Sequence, residues 1–179
     1  MRILLAFTLS MVMMTAGASA EFLAKDSQTV RLDYIFDDDL GPDDGNGFEL
    51  GFGTAVYELD DLAIAYTYID ADAVEHQQLV LSAQEYFPIR DFPIIPFAGA
   101  AIGYGWTDIS GSTVSGPDLD RGGMVLRVEG GAAIKLCDWF SLFASARYNY
   151  SSKNLFPESS LTDLEDTNWN YAFGARFYY

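Results

Sequence analysis

The feature that most constrains this chain is a two-residue alternation of broad apolar side chains with small or polar ones, recurring through eight segments. The last twelve residues, NWNYAFGARFYY, show it plainly. Trp169, Tyr171, Phe173, Ala175, Phe177 and Tyr179 fall on one side, and Asn168, Asn170, Ala172, Gly174, Arg176 and Tyr178 on the other. A period of two is the period of a strand, because successive side chains point to opposite faces of a sheet.

The same reading predicts strands near 29–37, 48–58, 62–69, 77–87, 96–106, 124–136 and 140–150, before the C-terminal one. The broad faces carry Val30, Leu32 and Tyr34; Phe48, Leu50 and Phe52; Leu62, Ile64 and Tyr66; Leu79 and Leu81; Ile102, Tyr104 and Trp106; Met124, Leu126 and Val128; and Phe140, Leu142 and Tyr148. Glu85 lands on the broad face of its strand, either at an interface or shifted by a bulge. The opposite faces read as glycine, alanine and charge, too small and polar for a dry core.

After Ala20 no apolar run approaches the ~18 residues of a membrane helix. Yet 50% of the chain is hydrophobic and 15% aromatic, with the broad residues on one face of every strand. Backbone groups in lipid must all be paired, so strands cross a membrane only as a closed barrel. The expected fold is all-β: an eight-stranded antiparallel up-and-down transmembrane barrel. Connections near 38–47, 70–76, 107–123 and 151–167 read as long and polar, and those near 59–61, 88–95 and 137–139 as shorter. Eight strands then place the long loops on one side of the membrane and the short turns, with both termini, on the other. Prolines fall in connections, except Pro96 at the predicted start of a strand, where a missing donor is tolerated.

The chain opens MRILLAFTLSMVMMTAGASA. A single basic residue, Arg2, a short apolar run and an Ala18-Ser19-Ala20 ending have the layout of a cleaved secretory signal. The expected organisation is therefore 1–20 signal peptide and 21–179 outer-membrane barrel domain. No cysteine lies near the cleavage point, which argues against lipid anchoring, and Cys137 is the only one in the chain, so no internal disulfide forms.

On these residues the mature chain resembles the small eight-stranded Gram-negative outer-membrane barrels, the group that includes OmpX and the OmpA transmembrane domain. The sharpest piece is the ending Gly174-Ala175-Arg176-Phe177-Tyr178-Tyr179. It is similar to their C-terminal assembly signal, with Gly174, Phe177 and Tyr179 at the matching positions. Phe173 stands where that signal usually has a polar residue. The resemblance implies residence in the cell outer membrane and recognition by the outer-membrane assembly machinery. It also implies lipid and lipopolysaccharide as surroundings.

The inner faces carry Arg31, Asp33, Glu49, Arg127, Glu129, Lys135, Arg147 and Arg176. A small barrel has an interior filled by side chains, and buried charges must pair, so these residues are expected to form a lumenal salt-bridge network. Two outward aromatic girdles are expected. Tyr34, Phe36, Tyr68, Trp106, Tyr150 and Trp169 would form the one toward the loops; Phe87, Phe140, Phe177 and Tyr179 would form the other.

The first loop is strongly acidic, with Asp37, Asp38, Asp39, Asp43 and Asp44. Such carboxylates beside lipopolysaccharide phosphates would share divalent cations, while a solvated acidic surface is the plainer reading. No EF-hand spacing and no cysteine–histidine metal spacing occurs, so no resident metal and no cofactor is expected.

The formal net charge is −16, which removal of Arg2 with the signal makes −17, and such a chain repels nucleic acid. His76 is the only histidine and is expected as an exposed rim residue beside Glu75. Ser82 lies about 20 Å further along an extended strand, too far to pair with it. No catalytic residues are expected, and the chain reads as a monomeric, non-enzymatic envelope barrel. A narrow porin-like channel, a lipid-modifying enzyme and a soluble lipocalin-type barrel stand as alternatives.

Overall fold

The computed structural model describes residues 27–37, 45–57, 60–71, 74–109, 121–152 and 167–179. Residues 1–26, and with them the predicted signal peptide, lie outside these. Eight strands are present: β1 Gln28–Asp37, β2 Gly45–Tyr57, β3 Asp60–Ala71, β4 Val74–Tyr86, β5 Ile94–Ile109, β6 Arg121–Cys137, β7 Phe140–Ser151 and β8 Thr167–Tyr178. Each pairs antiparallel with its sequence neighbour. β1 also pairs with β8, with Arg31 opposite Arg176, which closes the barrel. Closure leaves no free sheet edge, so no backbone hydrogen-bonding row is left without a partner.

The polarity is inside out relative to a soluble barrel. Leu32, Phe52, Ile64, Leu81, Ile102 and Val128 are exposed, whereas Arg31, Glu49, Arg127, Arg147 and Arg176 are buried in the lumen. The period-two pattern does this directly: each strand turns its broad residues to the same side, and closure makes that side the outside. Glu85 faces outward one residue before β4 ends, at the level of the turns, and the register around it is unbroken. The two register shifts fall instead at Ala55/Tyr57 and Lys135/Cys137.

Two expectations need correction. The connection expected across 70–76 shrinks to residues 72–73, because pairing runs on through Asp70 with Glu75 and Ile69 with His76. The β4–β5 turn spans 87–93, close to the expected 88–95, with Asp91 at a positive φ of 62°, a conformation that aspartate tolerates better than most residues. Pro96 lies inside β5 rather than at its start.

The interior is also less uniformly small than expected. Tyr86, Ile95, Phe97, Phe143 and Tyr178 pack with Ala55 and Ala133 in an apolar layer toward the turn end. Ile35, Ile69, Val125, Ala71 and Ala172 form a second cluster toward the loops. The charged side chains occupy the zone between. Outside, Trp139 stacks on Phe177 at a centroid distance of 6.4 Å, and Phe140 lies 5.1 Å from Phe177. Tyr148 and Trp169 meet at 5.1 Å. These outward aromatics lie toward the two rims, where amphipathic rings favour a membrane–water interface.

Candidate functional site: the lumenal charge belt

The belt is built from inward positions two apart on neighbouring strands. Asp33 on β1 sits opposite Glu49 on β2, which sits opposite Thr67 on β3, which sits opposite Gln78 on β4. On the far wall Glu129 of β6 is opposite Arg147 of β7, and Arg127 is opposite Asn149. Glycine and alanine beside them leave room for the long arms to cross the lumen. Gly51, for instance, has the Arg31 side chain at 3.4 Å from where its Cβ would stand.

Glu49 is the hub. Its Oε1 accepts a hydrogen bond from Arg31 Nη2. Its Oε2 accepts from Arg127 Nη1 at 2.6 Å and from the Thr67 hydroxyl at 2.6 Å. Arg147 Nη2 is 3.3 Å from Oε1. Arg147 also donates to Asp33 through Nη2, and to Glu129 through Nε at 3.2 Å. Arg31 adds contacts to Asp33 at 3.4 Å and to Glu129 at 3.9 Å. Arg127 donates further to Asn149 at 3.2 Å and Gln78 at 3.1 Å.

Arg176 sits lower, held by Asp61 at 3.3 Å and by the Gln84 carbonyl. Its guanidinium lies over the rings of Tyr86, at 5.4 Å, and Phe143, at 5.3 Å. The buried belt therefore carries four arginines, Arg31, Arg127, Arg147 and Arg176, against four carboxylates, Asp33, Glu49, Asp61 and Glu129. Such a balance is what a low-dielectric interior demands, since an uncompensated buried charge is costly.

Of the residues expected in the network, Arg31, Asp33, Glu49, Arg127, Glu129, Arg147 and Arg176 are brought together. Lys135 is not. It faces inward near the end of β6 and pairs with the exposed Asp138 at 3.4 Å, at the rim. Asp61, Gln84, Thr67, Gln78 and Asn149 complete the belt and were not foreseen. Asp61 read as part of a turn, and the neutral residues carry no sequence signal beyond their place on the inner face.

His76 corrects its expectation. It is buried on the inner face of β4, with Nδ1 2.9 Å from the Thr107 hydroxyl and Nε2 accepting from Gln78 Nε2 at 2.6 Å. The two-residue period places it inward together with Gln78 once β4 is extended to Val74. Asp37, expected in an acidic loop, is the last residue of β1, buried, and accepts a hydrogen bond from Asn168. Asp38, Asp39, Asp43 and Asp44 lie outside the described residues. Gly174 of the expected assembly signal faces inward under Asp33, and a Cβ there would stand 2.7 Å from Asp33 Oδ1. Phe177 and Tyr179 are exposed on the outer face at the turn end. Among the described residues no cluster of histidine, cysteine or carboxylate side chains is arranged to hold a metal ion.

A closed eight-stranded antiparallel barrel with an apolar outside and an ion-paired inside defines a class, that of the small transmembrane β-barrels. The solved structures similar to it belong to that class. The N-terminal β-barrel domain of OprF from Pseudomonas aeruginosa superposes with a TM-score of 0.65 at 15% identity, covering 88% of this chain and all (100%) of that one. Neisserial surface protein A gives 0.61 at 18% identity, over 84% of this chain and 95% of its own. Outer membrane protein H of P. aeruginosa gives 0.60 at 19% identity, over 86% and 99%. The fold is thus the one that the strand pattern and the C-terminal residues resemble. No family model matches the chain, and no curated protein matches it.

Proposed function

We propose that the chain is an integral outer-membrane barrel, exported through cleavage of residues 1–20, with a filled lumen and a structural or surface-interaction role in the cell envelope. The observation that carries this reading is the inverted polarity: an exposed apolar wall around a buried, charge-balanced belt. Such a wall has no place in water, and a lipid bilayer is the solvent that suits it.

The reading is of a non-enzyme. His76, the sole histidine, is enclosed in the lumen and bonded to Thr107 and Gln78, away from any outer-surface substrate. The partners it implies are outer-membrane lipid, lipopolysaccharide and the assembly machinery that would read Gly174, Phe177 and Tyr179. Asp70, Glu75 and Asp108 stand side by side across β3, β4 and β5 on the outward face at the loop end.

Fractionation of expressing cells tests the reading. The expected result is recovery in the outer membrane, with the loops cut by protease added outside intact cells. Recovery in the soluble periplasm would overturn it.

A further inference from the structure

The belt is not evenly satisfied around the barrel. Among the described residues, every buried side-chain polar atom without a hydrogen-bond partner lies on β1, β7 or β8, or directly before β1. Toward the loops these are Asn149 Nδ2, Asn170 Oδ1 and Arg147 Nη1; midway, Ser145 Oγ and Asp33 Oδ1; lower, the Nε of Arg176 and of Arg31, the latter ion-paired to Asp33 at 3.4 Å; and lowest, before β1, Ser27 Oγ. They stand close together: Arg147 is opposite Asn170 across β7–β8, and Asp33 and Phe143 both face Gly174. The other wall, from β2 to β6, has no such atom among its described side chains.

The inner face of β7 explains the asymmetry. Above Phe143 it is polar without interruption: Ser145, Arg147, Asn149 and Ser151, all buried. The loop-side apolar cluster draws on β1, β3, β6 and β8; it has no member on β2, β4, β5 or β7, and of these only β7 carries buried polar atoms without a hydrogen-bond partner. It therefore leaves a polar passage beside it. The turn-side layer is closed on this side; it lacks a member only on β1 and β3, where the buried Thr29 hydroxyl donates to Asp61 at 3.2 Å. Phe143 itself comes from β7, and it joins Phe97 from β5, Tyr86 from β4 and Tyr178 from β8. The Arg176 and Arg31 guanidinium groups lie 5.3 and 5.9 Å from the centroid of the Phe143 ring.

Buried donors and acceptors left without protein partners are satisfied by fixed water, which needs two to four polar neighbours. We infer that a file of water molecules runs down the β7–β8–β1 side of the lumen, through the charged belt, and stops at the aromatic layer. Phe143 and Phe97, not the ion pairs, are then the seal of this barrel. A hydrophobic constriction closes a pore by excluding water, whereas a hydrated belt does not. This rests on the reading of the chain as a membrane-spanning barrel. That reading is checked separately in every sample by the faster gel migration of the unheated, folded band.

The test uses the full mature chain refolded into lipid and fused to planar bilayers. Wild-type protein is expected to be silent, and a folded Phe97→Ala/Phe143→Ala variant to show discrete current steps roughly tenfold above the wild-type baseline. A folded Glu49→Gln variant is expected to stay silent. A silent, folded double variant would overturn the assignment of the seal, and a conducting Glu49→Gln barrel would move the seal to the belt. Should the double variant fail to fold, wild-type protein decides the matter by magnetisation transfer from water in NMR. The Asn149 side-chain amide is expected to contact water, and the Gln78 amide, bonded to His76, is not. Absence of a water contact at Asn149 would overturn the file.

Discussion

Removing the carboxylate of Glu49 leaves three guanidinium groups, those of Arg31, Arg127 and Arg147, facing one another without their shared acceptor. Breaking a buried pair from one side costs about 3–5 kcal/mol, because the remaining charge stays desolvated. Glu49→Ala is therefore expected to lower the stability of the folded barrel by about that amount, read as the urea concentration at which the unheated gel band is lost. An unchanged midpoint would mean that the belt contributes shape and not energy. Two glycines two turns of the period apart give a sharper contrast. A Cβ at Gly47 would meet the Tyr68 carbonyl oxygen at 1.9 Å, whereas one at Gly51 meets side-chain atoms no nearer than 3.4 Å. Gly47→Ala is expected to yield no folded band, and Gly51→Ala to migrate and melt like wild type. Equal behaviour of the two would contradict the inner-face register of β2.

At the scale of the element, all eight strands end within three residues of where the alternation alone puts them, counting both ends. The largest differences fall at the loop ends of β2, β4, β5 and β6, where pairing continues into polar sequence. Polar residues at strand ends are silent in a hydrophobic pattern, yet they pair as well as any other, since the ladder is made of backbone. That silence hid the inward placement of His76. It also hid Asp61, which gives Arg176 its partner. The apolar plug was missed for a different reason: Phe97 and Phe143 stand on inner faces otherwise made of small and polar residues, and alternation reports which side a residue takes, not what it meets there. Trp139 read as part of a turn, yet it stacks on Phe177, and its carbonyl accepts from the Tyr178 amide at 3.0 Å. Trp139→Ala is expected to cost ~1 kcal/mol. In the folded protein, fluorescence from Trp139, isolated by replacing Trp106 and Trp169 with Phe, is expected to be quenched most by lipids brominated near the headgroup. Strongest quenching at the bilayer centre would remove it from the turn-side girdle.

For the whole molecule, closure of β1 on β8 converts eight amphipathic strands into one object with two faces, an apolar wall outside and an ion-paired belt within. The class of fold was legible because every strand repeats the same choice of face, and eight agreeing strands exclude an accidental pattern. The contents of the lumen were legible only as a set of charges. Which arginine meets which carboxylate depends on register and on side chains crossing from wall to wall, as when Arg127 of β6 reaches Glu49 of β2. The central claim is that the broad face looks at lipid and the charged face looks inward. The most direct test is to refold the mature chain with and without lipid vesicles and run each sample unheated and boiled on a gel. A compact, faster band that appears only with lipid and is lost on boiling is the predicted result. A chain that folds in water without lipid, with no heat-dependent shift, would mean that the broad faces pack against one another and the barrel is turned the other way.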